Sequence, residues 1–202
     1  MRAFLISSLM VVALSAGAFQ APTNEERAKR ATEILGKARQ LDILNQVLPL
    51  LMTPKQLDKI LSRLDKHRVE SRKLELSEYD YLLKLEGNLD KSLKEAYDKG
   101  AIPTREALTA SYSTFKMFEV RRQAVIGEVV TDLLKIVDTD FNAGQKKALA
   151  GAFSDSLVAQ GGDASKLTDD DKRRFFVELI LLDPMAYDVL TKLSLKKPAA
   201  KP

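Results

Sequence analysis

Imidazole is the side chain that general acid–base catalysis and zinc binding both favour, and this chain has one, His67. Its helical neighbours three and four positions away are Arg63, Leu64, Glu70 and Ser71. A zinc site needs further nitrogen or sulfur ligands, and the sequence holds no Cys and no second His. A serine-hydrolase triad would need His67 beside a nucleophile elbow, and the chain has none. The expectation is a solvated helix-face histidine in a protein that is not an enzyme and carries no metal and no cofactor.

Two acidic runs invite other chemistry. Asp138-Thr139-Asp140-Phe141-Asn142 imitates the first ligand positions of a calcium loop, but Ala143 stands where that loop needs Gly and Leu149 where it needs a bidentate Glu. A helix-capping junction is the better reading. Asp169-Asp170-Asp171 puts three carboxylates in the first turn of a helix, where exposed N–H groups already favour negative charge. The most suggestive group is Tyr112, Phe115, Met117 and Phe118 with Arg121 and Arg122. Apolar and cationic side chains together on a long helix suit the binding of partner chains, which present both apolar groups and carboxylates.

The elements that must carry these residues read as helices throughout. Charged residues are 30% of the chain and aromatics only 6%, a mixture that favours long amphipathic helices over sheets. Thr23-Asn24-Glu25-Glu26 has the form of a capping box, opening a first helix to about Val47 with Ile34, Leu35, Ala38, Leu41, Leu44 and Val47 as its expected buried stripe. Thr53 caps a second, with Pro54 at its first position and Met52 and Leu57 as a hydrophobic staple. Its stripe begins with Leu57, Ile60, Leu61 and Leu64, thins, then resumes through Leu74, Tyr81, Leu82, Leu85, Leu89, Leu93, Ala96 and Tyr97. This is one very long helix or two in line, with Gly87-Asn88 the place for a kink. After a turn at Lys99–Thr104, a helix with Leu108, Tyr112, Phe115, Phe118, Val125, Val129, Leu133 and Ile136 on one face should run to about Val137. Two long stripes joined by a short turn must fold back as an antiparallel hairpin. Shorter helices follow from Asn142 to about Gln160, from Thr168 through the apolar run Phe175–Leu182, and from Met185 to Leu195.

Residues 1–18 have the features of an export signal: Arg2, an apolar stretch from Ala3 to Ala13, and Ala16-Gly17-Ala18 for a signal peptidase. The reading is therefore residues 1–18 as signal peptide, 19–195 as one all-helical extracytoplasmic domain, periplasmic or secreted, and 196–202 as a disordered basic tail. Net charge is +4 with acids and bases finely alternated, which argues against a nucleic-acid partner. With no Cys to carry a lipid, no membrane anchor is expected after cleavage.

Met52-Thr53-Pro54-Lys55-Gln56 and Phe141-Asn142-Ala143-Gly144-Gln145 are two copies of one pattern, flanking the expected hairpin. On Met52, Thr53, Gln56, Phe141, Asn142 and Gln145 the chain resembles the LTxxQ family of bacterial periplasmic helical proteins, which includes the spheroplast-protein-Y chaperone and the Cpx-system regulator. Met and Phe replace the family's Leu, and Asn replaces the second Thr. The resemblance covers about Leu41 to Phe153. It implies a dimeric helical cradle that binds unfolded envelope proteins without ATP, or a stress-sensing relative; the His-rich or acidic segments of metal-responsive relatives are lacking. A structural or adaptor protein that binds one specific envelope partner, or assembles with itself, is the alternative.

Overall fold

The computed structural model describes residues 23–159 and 161–195; the expected signal peptide and basic tail lie outside the described residues. The protein is all-α, with no strand among those residues. Six helices follow in order: α1 Asn24–Val47, α2 Pro54–Lys99, α3 Arg105–Asp140, α4 Ala143–Ala159, α5 Asp169–Phe176 and α6 Ala186–Ser194. The chain divides into two units between Leu35 and Gly36. In the first, Thr23 and Glu26 close the expected capping box, Glu26 N–H donating to Thr23 Oγ1 at 3.2 Å and Thr23 N–H to Glu26 Oε2 at 2.7 Å.

The second unit is built on the α2–α3 hairpin. Thr53 caps α2 with a complete capping box to Gln56, and Pro54 occupies the first turn, where its missing N–H costs no hydrogen bond. α2 then runs unbroken for 46 residues, about 70 Å at 1.5 Å per residue. It passes through Gly87-Asn88 without a break, since one Gly weakens a helix interior by only about 1 kcal/mol. Gly100 ends it at φ 64°, its N–H returning to Ala96 O at 3.0 Å, and Thr104 caps α3 by accepting from Ala107 N–H. α3 reaches Asp140, three residues beyond the expected end, because nothing breaks the helix before the extended Phe141.

Two helices cannot enclose a core by themselves, so the base of the hairpin recruits the terminal elements. There Ile60, Leu64, Val129, Leu133 and Val137 of the hairpin pack with Ile43 and Val47 of α1, Leu149 and Phe153 of α4, and Val189 and Leu190 of α6. The run Phe175–Leu182 supplies Phe176, Val177, Ile180 and Leu181 to this core, ending in a π-helical turn where Leu182 N–H reaches Val177 O at 3.0 Å. Arg39 fastens that turn, donating to Leu179 O at 2.8 Å and pairing with Asp183 at 2.7 Å.

Two expected stripes need correction. On α1, Ile34, Leu35 and Leu41 are exposed and Ala38 with them, while Ile43 and Gln46 are buried beside Val47. The packed face instead follows Gly36, Gln40, Ile43, Val47 and Leu50, which keeps the same three-to-four spacing on a rotated stripe. On α2 and α3 the apolar positions far from the base are mostly open to solvent: between residues 65 and 128 only Glu78, Leu85 and Phe118 are buried. Tyr97, Leu93, Leu108, Tyr112 and Phe115 are all exposed, because among the described residues no third layer covers the distal half of the hairpin.

Leu51 joins a 3-10 turn to the Thr53 cap in the left-handed region, at φ 45° and ψ 46°. Its side chain is 83% exposed, so the fold gains little packing from it. Relief of about 1–2 kcal/mol of left-handed strain, less roughly 0.5–1 kcal/mol of added unfolded-state entropy, predicts that Leu51→Gly stabilises the protein by about 0.5–1 kcal/mol. A urea melt showing a lower midpoint for Leu51→Gly would count against this geometry.

Candidate functional site

Both motif copies cap a helix and then meet each other. In the second, Gln145 N–H donates to Asn142 Oδ1 at 2.9 Å and Asn142 N–H to Gln145 Oε1 at 3.0 Å, which repeats on α4 the box that Thr53 and Gln56 make on α2. The two glutamines, 89 positions apart, then exchange hydrogen bonds: Gln56 Nε2 donates to Gln145 Oε1 at 3.0 Å and Gln145 Nε2 to Gln56 Oε1 at 3.1 Å. Their second amide hydrogens go to main-chain carbonyls, Gln56 to Asp140 O at 2.6 Å and Gln145 to Leu50 O at 2.9 Å. Every donor and acceptor of the pair is thus used, as burial of a primary amide requires. Met52 packs against the core to which Leu57 belongs, whereas Phe141 enters the core directly, the staple position of α4 being Lys146.

Local capping is legible from sequence; the closure of the two boxes on one another is not. The equal spacing of Gln after each cap is the signal that could have found it.

His67 lies on α2 where two grooves approach it, one shared with Leu182, Pro184 and Tyr187 and one with Arg122, Val125 and Ile126 of α3. Its Nε2 is 3.5 Å from Ser71 Oγ, and Nδ1 is buried with no hydrogen-bond partner. Burial and the charge of Arg63 push its pKa below the usual 6.5, against the opposing pull of Glu70. Beside it Arg63, only 8% exposed, pairs with Asp132 at 2.6 Å and Glu70 at 3.2 Å, crossing from α2 to α3. Burial raises the Glu70 pKa, but the hydrogen bond and charge of Arg63, helped by Lys66, outweigh it and leave the carboxyl below its ordinary value.

The suggestive aromatic and cationic group separates into two roles. Tyr112 and Phe115 are exposed on one flank of α3. Phe118 is 5% exposed and points into the hairpin, its ring edge against Tyr81 at 6.3 Å. Met117 is half-buried, and Arg121 places its guanidinium 5.2 Å from the Tyr81 ring. Arg122 is largely exposed, yet its Nε reaches both oxygens of the buried Glu78 at 3.0 Å, and this hydrogen bond and charge raise the Arg122 pKa. Glu78, buried on α2, was not legible as a partner for Arg122 because the two are 44 positions apart. A groove of about 480 Å³ results, lined by Leu82, Phe115, Phe118, Glu119, Arg122, Gln123 and Ile126.

The acidic runs are occupied by structural pairing. Asp140 is held by Lys59 at 2.7 Å, Asp171 closes a capping box with Thr168, and Asp169 and Asp170 pair with Lys172 and Arg173. Among the described residues no cluster of three acidic or imidazole side chains is placed to hold a metal ion.

No protein-family model matches the chain, and no curated protein and no solved structure matches it significantly.

Two outcomes test this site. Gln56→Ala or Gln145→Ala leaves the other amide and a capping N–H unpaired, so each should cost about 1–3 kcal/mol, and the double variant less than the sum of the two. Strict additivity in urea unfolding would show that the pair is not coupled. For His67, the folded state binds a proton less readily than the unfolded state, so its contribution is complete above 6.5 and falls as pH drops from there through the lowered folded value. His67→Gln should flatten that part of the stability–pH curve; an unchanged slope would remove the assignment.

Proposed function

We propose that the protein is an exported, nucleotide-independent binder of other polypeptides in the cell envelope, chaperone-like in action, and a degenerate relative of the LTxxQ family. The observation that carries this reading is the uncovered distal half of the hairpin, where the groove of Leu82, Phe115, Phe118 and Ile126 sits beside Arg122. Exposed apolar surface rimmed by charge is what a protein uses to hold another chain. Tyr112 and Phe115 extend the apolar flank, and Arg122 and Glu119 border the groove with charges of both signs. Extended polypeptide suits such a groove because it offers apolar side chains and charges at short intervals. The paired capping motifs support the family relationship by their order, their spacing and the contact between their glutamines. Binding and release would follow from surface affinity alone, with no catalytic residue taking part.

Dilution of a chemically denatured client into buffer with the protein, without nucleotide, tests the reading by light scattering. Suppressed aggregation that is lost in Tyr112→Ser/Phe115→Ser, with helicity and melting unchanged, is the expected result, since two exposed aromatic side chains carry little of the fold. Absence of suppression across several clients would overturn it. Arg122→Ala is unsuitable as the sole variant, because it strips the buried Glu78 of its partner.

A further inference from the structure

Between α2 and the turn that joins α5 to α6 lies a cavity of about 820 Å³, a volume typical of small-molecule sites. Its apolar walls are Leu64 from α2, Leu181 and Leu182 at the end of the π-helical turn, Pro184, and Tyr187 from α6. The loop wall is held in place by the fold itself. Arg39 pairs with Asp183 at 2.7 Å, and Asp183 Oδ1 accepts from Met185 N–H at 2.8 Å. Leu64 and Leu181 belong to the core, and Leu182 and Tyr187 pack against it. The site is therefore preformed, and a ligand entering it has little of the chain to order.

The rim carries more positive charge than the fold consumes. Of its acids, Asp183 is taken by Arg39 and Glu75 by Arg72 at 3.3 Å. Asp65, Arg68 and Lys73 also line the cavity, and none of the three enters an ion pair among the described residues. Two free cations against one free carboxylate leave a surplus of one positive charge. That balance suits a single negative charge and disfavours a polyanion, which Asp65 and Glu75 would repel.

Arg68 is the cation with a fixed place. Its guanidinium lies over the Tyr187 ring, 4.2 Å from the centroid. An arginine stacked on an aromatic ring uses the face of its π system and keeps its N–H donors at the edge, where they match a carboxylate as a fork. Among the described residues those donors meet no acceptor. Arg72 stands one helical turn further along the same side of α2, and its only partner, Glu75, is an exposed neighbour held weakly enough to share.

We propose that this cavity binds an amphipathic monocarboxylate of the fatty-acid class. The carboxylate takes the N–H edge of Arg68 with Arg72 beside it, and the hydrocarbon chain covers Leu64, Leu182, Pro184 and Tyr187. Charge fixes the orientation of the ligand and the apolar wall supplies affinity. The site is separate from the Tyr112–Phe115 flank of α3, so ligand binding here and polypeptide binding there can each fail without the other.

Calorimetric titration of the full chain with decanoate at neutral pH, below the concentration at which decanoate self-associates, should show saturable binding at one site per chain. Octanoate should bind about tenfold more weakly, the loss expected from two buried CH₂ groups. Decanol and decyltrimethylammonium, which keep the chain without the negative charge, and acetate, which keeps the charge without the chain, should each lose about tenfold or more. Arg68→Gln should weaken decanoate by about tenfold with helicity and melting unchanged, because Arg68 is exposed and holds no hydrogen bond or ion pair in the fold. Arg68→Lys, which retains the charge without the fork, should recover only part of that loss. Pro184→Glu, at an exposed position on the apolar wall, should weaken binding independently. Tyr112→Ser/Phe115→Ser should bind as the wild type does. Absence of decanoate binding, equal binding of decanol or decyltrimethylammonium, undiminished affinity in Arg68→Gln, or loss of binding in Tyr112→Ser/Phe115→Ser would each overturn the proposal.

Discussion

The Gln56–Gln145 amide exchange ties the two ends of the α2–α3 hairpin together at its base. Each glutamine completes the N-terminal cap of its own helix and hydrogen-bonds to the other, so the starts of α2 and α4 are held against one another. The chain between them has to leave and return to the same point, and a single long hairpin with one turn does this. From there the register propagates along the arm: Lys59 meets Asp140, Arg63 meets Asp132, Glu78 meets Arg122, and Tyr81 meets Phe118. One residue number rises as the other falls, with no slip across roughly 33 Å of helix between Lys59 and Tyr81. A neutral amide pair suits this position better than an ion pair, because it satisfies four buried groups without the desolvation cost of charge.

Charge takes over where the apolar core stops. Near the base, aliphatic layers and the terminal helices exclude water, and α1 is tied in by the Arg39 contacts. Further along the hairpin, buried positions thin to Glu78, Leu85 and Phe118, and a carboxylate on α2 is closed by a guanidinium from α3. Removal of Arg122 strands the buried Glu78 carboxylate, so this contact specifies pairing where hydrophobic contact is sparse.

The local devices of this fold were readable in the residues. Thr53-Pro54 and Thr104 mark helix starts, Lys99-Gly100 marks a stop, and the hairpin follows from two long stripes joined by a short turn. The covered face of each helix was less readable, because an apolar periodicity states which residues share a face and not whether another layer arrives to cover it. Leu41 and Ile43 on α1 both fit a three-to-four spacing, and only the approach of α4 and the π-turn selects Ile43. On α2 the expected stripe runs through Leu85, Leu93 and Tyr97, and α3 covers Leu85 while Leu93 and Tyr97 stay exposed. The Gln56–Gln145 and Glu78–Arg122 contacts join residues far apart in sequence, where no local rule applies.

The way the distal hairpin is held bears on what it can do. An arm secured by apolar packing alone would need its aromatic and aliphatic side chains between the two helices, leaving a polar exterior. Here the buried Glu78 paired with Arg122 and a Tyr81–Phe118 contact, backed by Arg121 and Lys84 near the Tyr81 ring, do much of that work with few apolar residues. Leu82, Phe115 and Ile126 are thereby released to one flank, and Leu76, Tyr79 and Leu83 to another. Polar interactions inside and apolar surface outside invert the usual division of a two-helix element. Such an inversion costs solubility unless the apolar surface is occupied or kept dispersed among charges, and both flanks carry arginine or carboxylate within one helical turn of their apolar residues.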